Sequence, residues 1–194
     1  MIDVLKRGLD AEITASGLGD ALRQQATHLS ADDVEQLASV LEQFLRAIPD
    51  ALAFALALSK DPRCGRSVAF ATGPILNYVF DDEDLLPESS FGVLGLLDDA
   101  YLVHVFVAML QQMYPFAAPA LTYSAPDRRA FEVVASFLPE GVAHSLRRTC
   151  ESTILVAQAL FVPAQGDGTA APLAPPEIRV SEAARTASEG SRVG

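Results

Sequence analysis

Asp84-Leu85-Leu86-Pro87-Glu88 and, just downstream, Gly95-Leu96-Leu97-Asp98-Asp99-Ala100 are the stretch on which the fold of this chain turns. Pro87 and the nearby glycines shape a tight connection, because proline cannot continue a helix and glycine tolerates backbone that other residues avoid. Leu85, Leu86, Leu96 and Leu97 read as plugs into a core. Asp98 and Asp99 head the next apolar run, where a carboxylate accepts orphan backbone N–H groups and favours the positive end of the helix dipole. The stretch is therefore predicted to be an elbow joining two buried helices. One is the apolar run 67–80, interrupted by Gly73-Pro74, and the other opens at Asp98-Asp99 and ends near Tyr114, with Pro115 and Pro119 as stops.

Outward from the elbow, period-3.6 patterns dominate and period-2 alternation is scarce. Met1 to His28 reads as one or two short helices broken near Gly17 and Gly19. Ser30 with Asp33 three residues on is a capping-box start. The helix after it carries Val34, Leu37, Ala38, Leu41, Phe44, Leu45 and Ile48 on one stripe. Pro49 ends or kinks it, an apolar helix follows to Ser59, and Asp61-Pro62 breaks that run. Ser124 and Asp127 cap a further helix, with Pro126 placed in its first turn, where a missing N–H does no harm. Pro139-Glu140-Gly141 divides it from a last helix with Val142, Leu146, Cys150, Ile154, Ala157 and Phe161 on one face. The expectation is an all-α bundle of about seven or eight helices over 1–162. From Pro163 to Gly194 Ala, Pro, Gly, Ser and Thr dominate, which predicts a disordered tail with Ile178-Arg179-Val180 as its sticky spot.

The bulk numbers bound the function. Half the residues are hydrophobic and 20% are charged, which suits a globular chain. A net charge of −11 argues against nucleic acid as a partner. No Lys or Arg stands between Arg66 and Arg128, while Asp81, Asp82, Glu83, Asp84, Glu88, Asp98 and Asp99 put seven acids into nineteen residues. Cys64 and Cys150 are far apart, form no C-x-x-C pair, and read as two buried thiols of a reducing compartment. The N-terminus lacks a signal-peptide core, so a cytoplasmic location is the default expectation.

Three chemistries deserve weighing. Asp84, Glu88, Asp98 and Asp99 could hold a hard divalent cation, since calcium and magnesium take oxygen ligands, although the spacing matches no EF-hand loop. Structural capping and a partner-binding acidic patch are the competing accounts of the same acids, and otherwise no cofactor is expected. His28, His104 and His144 include no i, i+4 pair, so each reads as structural. No nucleophile elbow and no glycine-rich phosphate loop occurs, so no catalytic residue is assigned. The runs 67–80 and 100–119 suggest a membrane-associated hairpin with Arg63, Arg66, Arg128 and Arg129 on one side, which obeys the positive-inside rule. Length opposes it, because a span needs about 20 apolar residues and the first run offers fourteen.

Tyr78, Asp84-Leu85-Leu86-Pro87-Glu88, Gly92 and Gly95-Leu96-Leu97-Asp98-Asp99-Ala100 together resemble the YkvA-like domain of unknown function. The variant is similar to the hairpin copy at the end of a RING-type ubiquitin ligase of the endoplasmic reticulum. The resemblance covers about 60–102, within a hairpin taken as 60–114, and this chain has Asp81-Asp82 where the family has a Ser-Pro pair. It implies a small helical hairpin, often membrane-associated, with no established reaction. Tyr78, Asp84, Pro87, Glu88, Gly95, Asp98 and Asp99 would be its structural motif. The expected function is a non-enzymatic helical interaction or scaffold module with a protein partner or a second copy of itself. The alternatives are a membrane-associated hairpin protein and a metal-dependent enzyme using the acidic turn.

Overall fold

Ser30 opens the first long helix by accepting the Asp33 backbone N–H at 3.1 Å, as the capping-box spacing requires. The computed structural model describes residues 2–25, 27–80, 85–86, 92–115 and 123–161. Its elements are α1 (Ile2–Ser16), α2 (Leu18–Gln25), α3 (Ala31–Arg46), α4 (Ile48–Leu58), α5 (Gly65–Val79), a 3-10 turn (Gly92–Gly95), α6 (Leu96–Met113), α7 (Arg128–Phe137) and α8 (Val142–Phe161). Among the described residues there are eight α-helices and no strand, so the all-α expectation holds. Met1–Ala164 forms one compact unit. The stretch 163–194, expected to be a tail, lies outside the described residues.

Breaks fall where backbone chemistry demands them. Gly17, between α1 and α2, has φ +57°, which costs a residue with a Cβ far more than glycine. Pro49 sits in the first turn of α4, where it removes no needed bond. Two expectations shift. Asp127 is the N-cap of α7, accepting from Ala130 N–H at 2.8 Å, so Pro126 precedes the helix rather than lying in its first turn. Pro74 does not interrupt α5, which continues to Val79. Gly73 and Pro74 lie on the exposed face, so water can take the carbonyl that the proline ring leaves without a donor.

Helix α6 is the axis of the bundle. It packs against α3, α4, α5, α7 and α8, and Leu97 to Val107 is an unbroken run of buried residues. A helix apolar on every side belongs in the middle of a fold. Around it stand Phe44 and Leu45 of α3, Leu52 and Phe54 of α4, Val68 and Ile75 of α5, and Leu146 and Cys150 of α8. The Val34–Ile48 stripe is part of this core, with Val34, Leu41, Phe44, Leu45 and Ile48 buried. Helices α5 and α6 do pack together, but α8 packs along both. The core of the expected 60–114 hairpin thus includes a helix beyond it in sequence. Arg46 links α3 to α1 through Asp10 while bonding Glu42 at 2.8 Å. All three are partly exposed, so this pairing adds little stability.

Candidate functional site

Helix α3 carries two adjacent stripes that share Phe44, and beside the core stripe the second leaves Val40 outside the core. Asp33, Leu37, Val40, Phe44 and Ala47 follow one another at four- and three-residue steps and face α7 across a groove of about 770 Å³. Ala130 and Val133 of α7 form the opposite wall, and Ser124 to Asp127 close one side. Small residues at Ser39, Ala47, Ala125 and Ala130 leave room between the walls. Asp33 and Asp127 put two negative charges in the groove's lining and Arg129 one positive charge. Val40 stands off the stripe predicted from sequence. Its own spacing with Asp33, Leu37 and Phe44 was the available signal.

The groove's wall is anchored from beneath. His104, at the middle of α6 and fully buried, places Nε2 2.8 Å from the Phe44 carbonyl oxygen. A carbonyl only accepts, so Nε2 carries the proton and Nδ1 accepts from the Tyr123 hydroxyl at 2.5 Å. The two rings lie parallel with centroids 6.0 Å apart, and the Phe44 ring stands edge-on to the imidazole at 4.4 Å. Gln111 adds a bond from Nε2 to the Tyr123 carbonyl at 3.4 Å. Burial drives the His104 pKa down to about 4 and raises that of the Tyr123 phenol, to which the Asp50 charge also contributes. Both groups are therefore neutral at pH 7 and satisfied by each other. His104 is structural, as expected. Tyr123 had no sequence signal, because a tyrosine in a loop looks the same whether it anchors or dangles.

At the elbow, Tyr78 donates to Asp98 Oδ2 at 2.7 Å, bridging α5 and α6. The helix opens two residues before Asp98, with Gly95 in the N-cap position, because the 3-10 turn runs straight into it. Asp98 acts from inside the first turn and takes backbone N–H bonds from Asp99, itself and Leu86. Burial nevertheless raises its pKa, against the Tyr78 and backbone bonds that lower it. Asp98 Oδ1 has no hydrogen-bond partner among the described residues. Asp99 is buried beside it. Leu86, Val93, Leu94 and Leu97 plug the core, whereas Leu85 is half exposed, against expectation, because it points away from the side that Leu86 buries. Asp84, Pro87 and Glu88 lie outside the described residues. Among those described, no three His, Cys, Asp or Glu side chains gather to hold a cation.

The Asp98 environment yields a test. A raised folded-state pKa means that the folded protein takes the proton more readily than the unfolded chain, so this group costs stability as pH rises. Asp98→Asn keeps an acceptor for Tyr78 and removes the buried charge. It is expected to melt higher than the parent at pH 8, with the advantage shrinking towards pH 4. A melting series across that range decides; an equal deficit at both ends contradicts the burial argument.

A second groove, of about 710 Å³, lies between the loop 59–64 and the end of α8. Lys60, Arg63 and Arg66 line it opposite Tyr114, Gln158 and Phe161. The thiols are buried, Cys64 beside this groove and Cys150 away from both. Both are free, and burial pushes the Cys150 thiol up to about 12. His28 and His144 are exposed and stand apart from both grooves' linings. One helical stretch, Gly92–Met113, is long and apolar enough to cross a membrane, and 89% of its apolar window is buried inside the domain. No family model matches this chain, and neither the curated proteins nor the solved structures include a significant match to it.

Proposed function

We propose that this chain is a non-enzymatic interaction module that receives a partner's apolar side chains in the groove between α3 and α7. The observation carrying the proposal is Val40, half-buried on the groove face of α3 between Leu37 and Phe44 yet no part of the core. Such a floor suits an amphipathic helix presenting residues at i, i+3 or i+4 and i+7. The charges lining it, Asp33, Asp127 and Arg129, would set the partner's direction rather than its affinity. The His104–Tyr123 anchor keeps the floor and the 124–127 wall in register before anything binds, which lowers the ordering cost of association. The YkvA-like resemblance is compatible with this reading, since it carries no reaction.

The membrane-associated alternative draws on Gly92–Met113, but inserting that helix would require dismantling the core built around it. The metal-enzyme alternative rests on acids of which Asp84 and Glu88 lie outside the described residues. Neither has a site observation comparable to the groove.

The test is a display selection of helical peptides against the full chain. Enriched sequences are expected to be amphipathic and to lose at least tenfold in affinity against Val40→Glu, about 1.4 kcal/mol for one charge facing apolar residues. Val40 does not touch the core, so the variant should melt like the parent. Absence of enrichment, or peptides that bind Val40→Glu equally well, would discard the groove.

A further inference from the structure

We infer that the second groove, between the loop 59–64 and the end of α8, binds an acidic protein segment with an apolar or aromatic residue beside its carboxylates. Its rim carries Lys60, Arg63 and Arg66, the last cations before a stretch that has none until Arg128. Asp61 is the one acid among the lining residues, and Arg63 holds it through bonds at 2.9 and 2.6 Å. That pair neutralises itself, which leaves Lys60 and Arg66 with no ion pair among the described residues. The facing wall supplies Phe161, packed on Phe70 at 5.5 Å, with both rings partly exposed. A ligand here meets two uncommitted cations on one side and an aromatic surface on the other.

The groove is held open by local geometry. A Cβ on Gly65 would lie 2.5 Å from the Ser59 carbonyl oxygen, so only glycine lets the loop close this tightly against the start of α5. The closure keeps all three cations on one rim. Cys64 makes no side-chain cap, so the positive dipole end of α5 adds to the field at the same place.

Magnitudes favour a short acidic peptide over other anions. The net charge of −11 repels acidic partners at long range, but screening limits that field to about 8 Å at physiological salt, so the contact cations decide. A nucleic-acid backbone would extend beyond the three cations onto acidic surface. A flat bilayer cannot enter a concave site, and inorganic phosphate makes no use of Phe161.

The experiment is fluorescence anisotropy on the full chain with a labelled Gly-Glu-Asp-Phe-Glu-Asp-Gly peptide. The same peptide with Gln and Asn for its acids is the control. The acidic peptide should bind, more weakly as sodium chloride rises, while the neutral one does not. Lys60→Glu with Arg66→Glu should weaken it at least tenfold and Phe161→Ser severalfold, while Val40→Glu leaves it unchanged. Melting curves check each fold, and Lys60→Ala with Arg66→Gln replaces the reversal if that variant unfolds. The inference fails if the acidic peptide does not bind, or if binding ignores the Lys60 and Arg66 substitutions. It fails equally if phosphate displaces the peptide at matched ionic strength, or if phosphatidylserine vesicles bind where the peptide does not. Because Val40 is silent here, this failure is separate from that of the α3–α7 groove.

Discussion

Acidification from pH 6.5 to 4 is expected to cost the domain about 3 kcal/mol through His104 alone. The imidazole is buried with its proton on Nε2 and with Nδ1 accepting from Tyr123, so protonating it breaks a bond and buries a charge. Its folded-state pKa is about 4, against about 6.5 in an unfolded chain. The unfolded state therefore binds more protons throughout that window, and stability falls as pH falls, is complete above it and levels off below it. About two and a half units at about 1.4 kcal/mol each set the size. Carboxylates titrate in the same range, so the measurement is a difference. His104→Gln should be less stable than the parent at pH 7 by about 1–3 kcal/mol, the cost of an imperfectly satisfied buried polar network. The two should converge as pH approaches 4, because the variant has no imidazole left to protonate. Urea unfolding at several pH values reads this directly. A gap that stays constant from pH 7 to 4 means that His104 is not enclosed as described.

Phe106→Ala should be the most damaging single truncation, at about 3–5 kcal/mol. Phe106 is fully buried on the helix that touches five others, so the vacated volume has no flexible side to collapse from. A domain of this size has about 5–15 kcal/mol of total stability, and the variant would stand close to its unfolding threshold. Phe161→Ala is the calibrating control. It is 38% exposed and packs at a tilt on Phe70, so its loss should cost about 1 kcal/mol. Denaturant midpoints with unchanged slopes measure both. Near-equal costs would show that α6 is not the enclosed axis, as would be the case if that helix faced lipid instead of five helices.

The two grooves differ in how visible they were. The floor residues Leu37 and Phe44 lie on the predicted stripe, but Val40, which marks the groove face, lies beside it. The cations at Lys60, Arg63 and Arg66 are plain in the sequence only as the edge of a basic-free stretch. Their meeting with Phe161 depends on α8 returning to the start of α5, a contact between residues about a hundred positions apart. The elbow acids were recognised as belonging to a helix start. Their inward burial was not, since Asp98 and a solvated cap residue look alike until Tyr78 is placed above one of them.

The helices' places along the chain and most of their caps and breaks were determined by the sequence itself; Pro74, Pro126 and the Gly95 start of α6 were not. Periodicity, Ser30 with Asp33, Asp127, Gly17 and Gly141 act over a few neighbouring residues, and that is the range over which a chain can be read without its fold. Tertiary structure alone decided that α8 completes the core of the elbow helices, that Tyr123 locks His104, and which side of α3 stays open. These are contacts between distant segments, chosen by how volumes and polar groups fit once the helices pack. No local pattern encodes them.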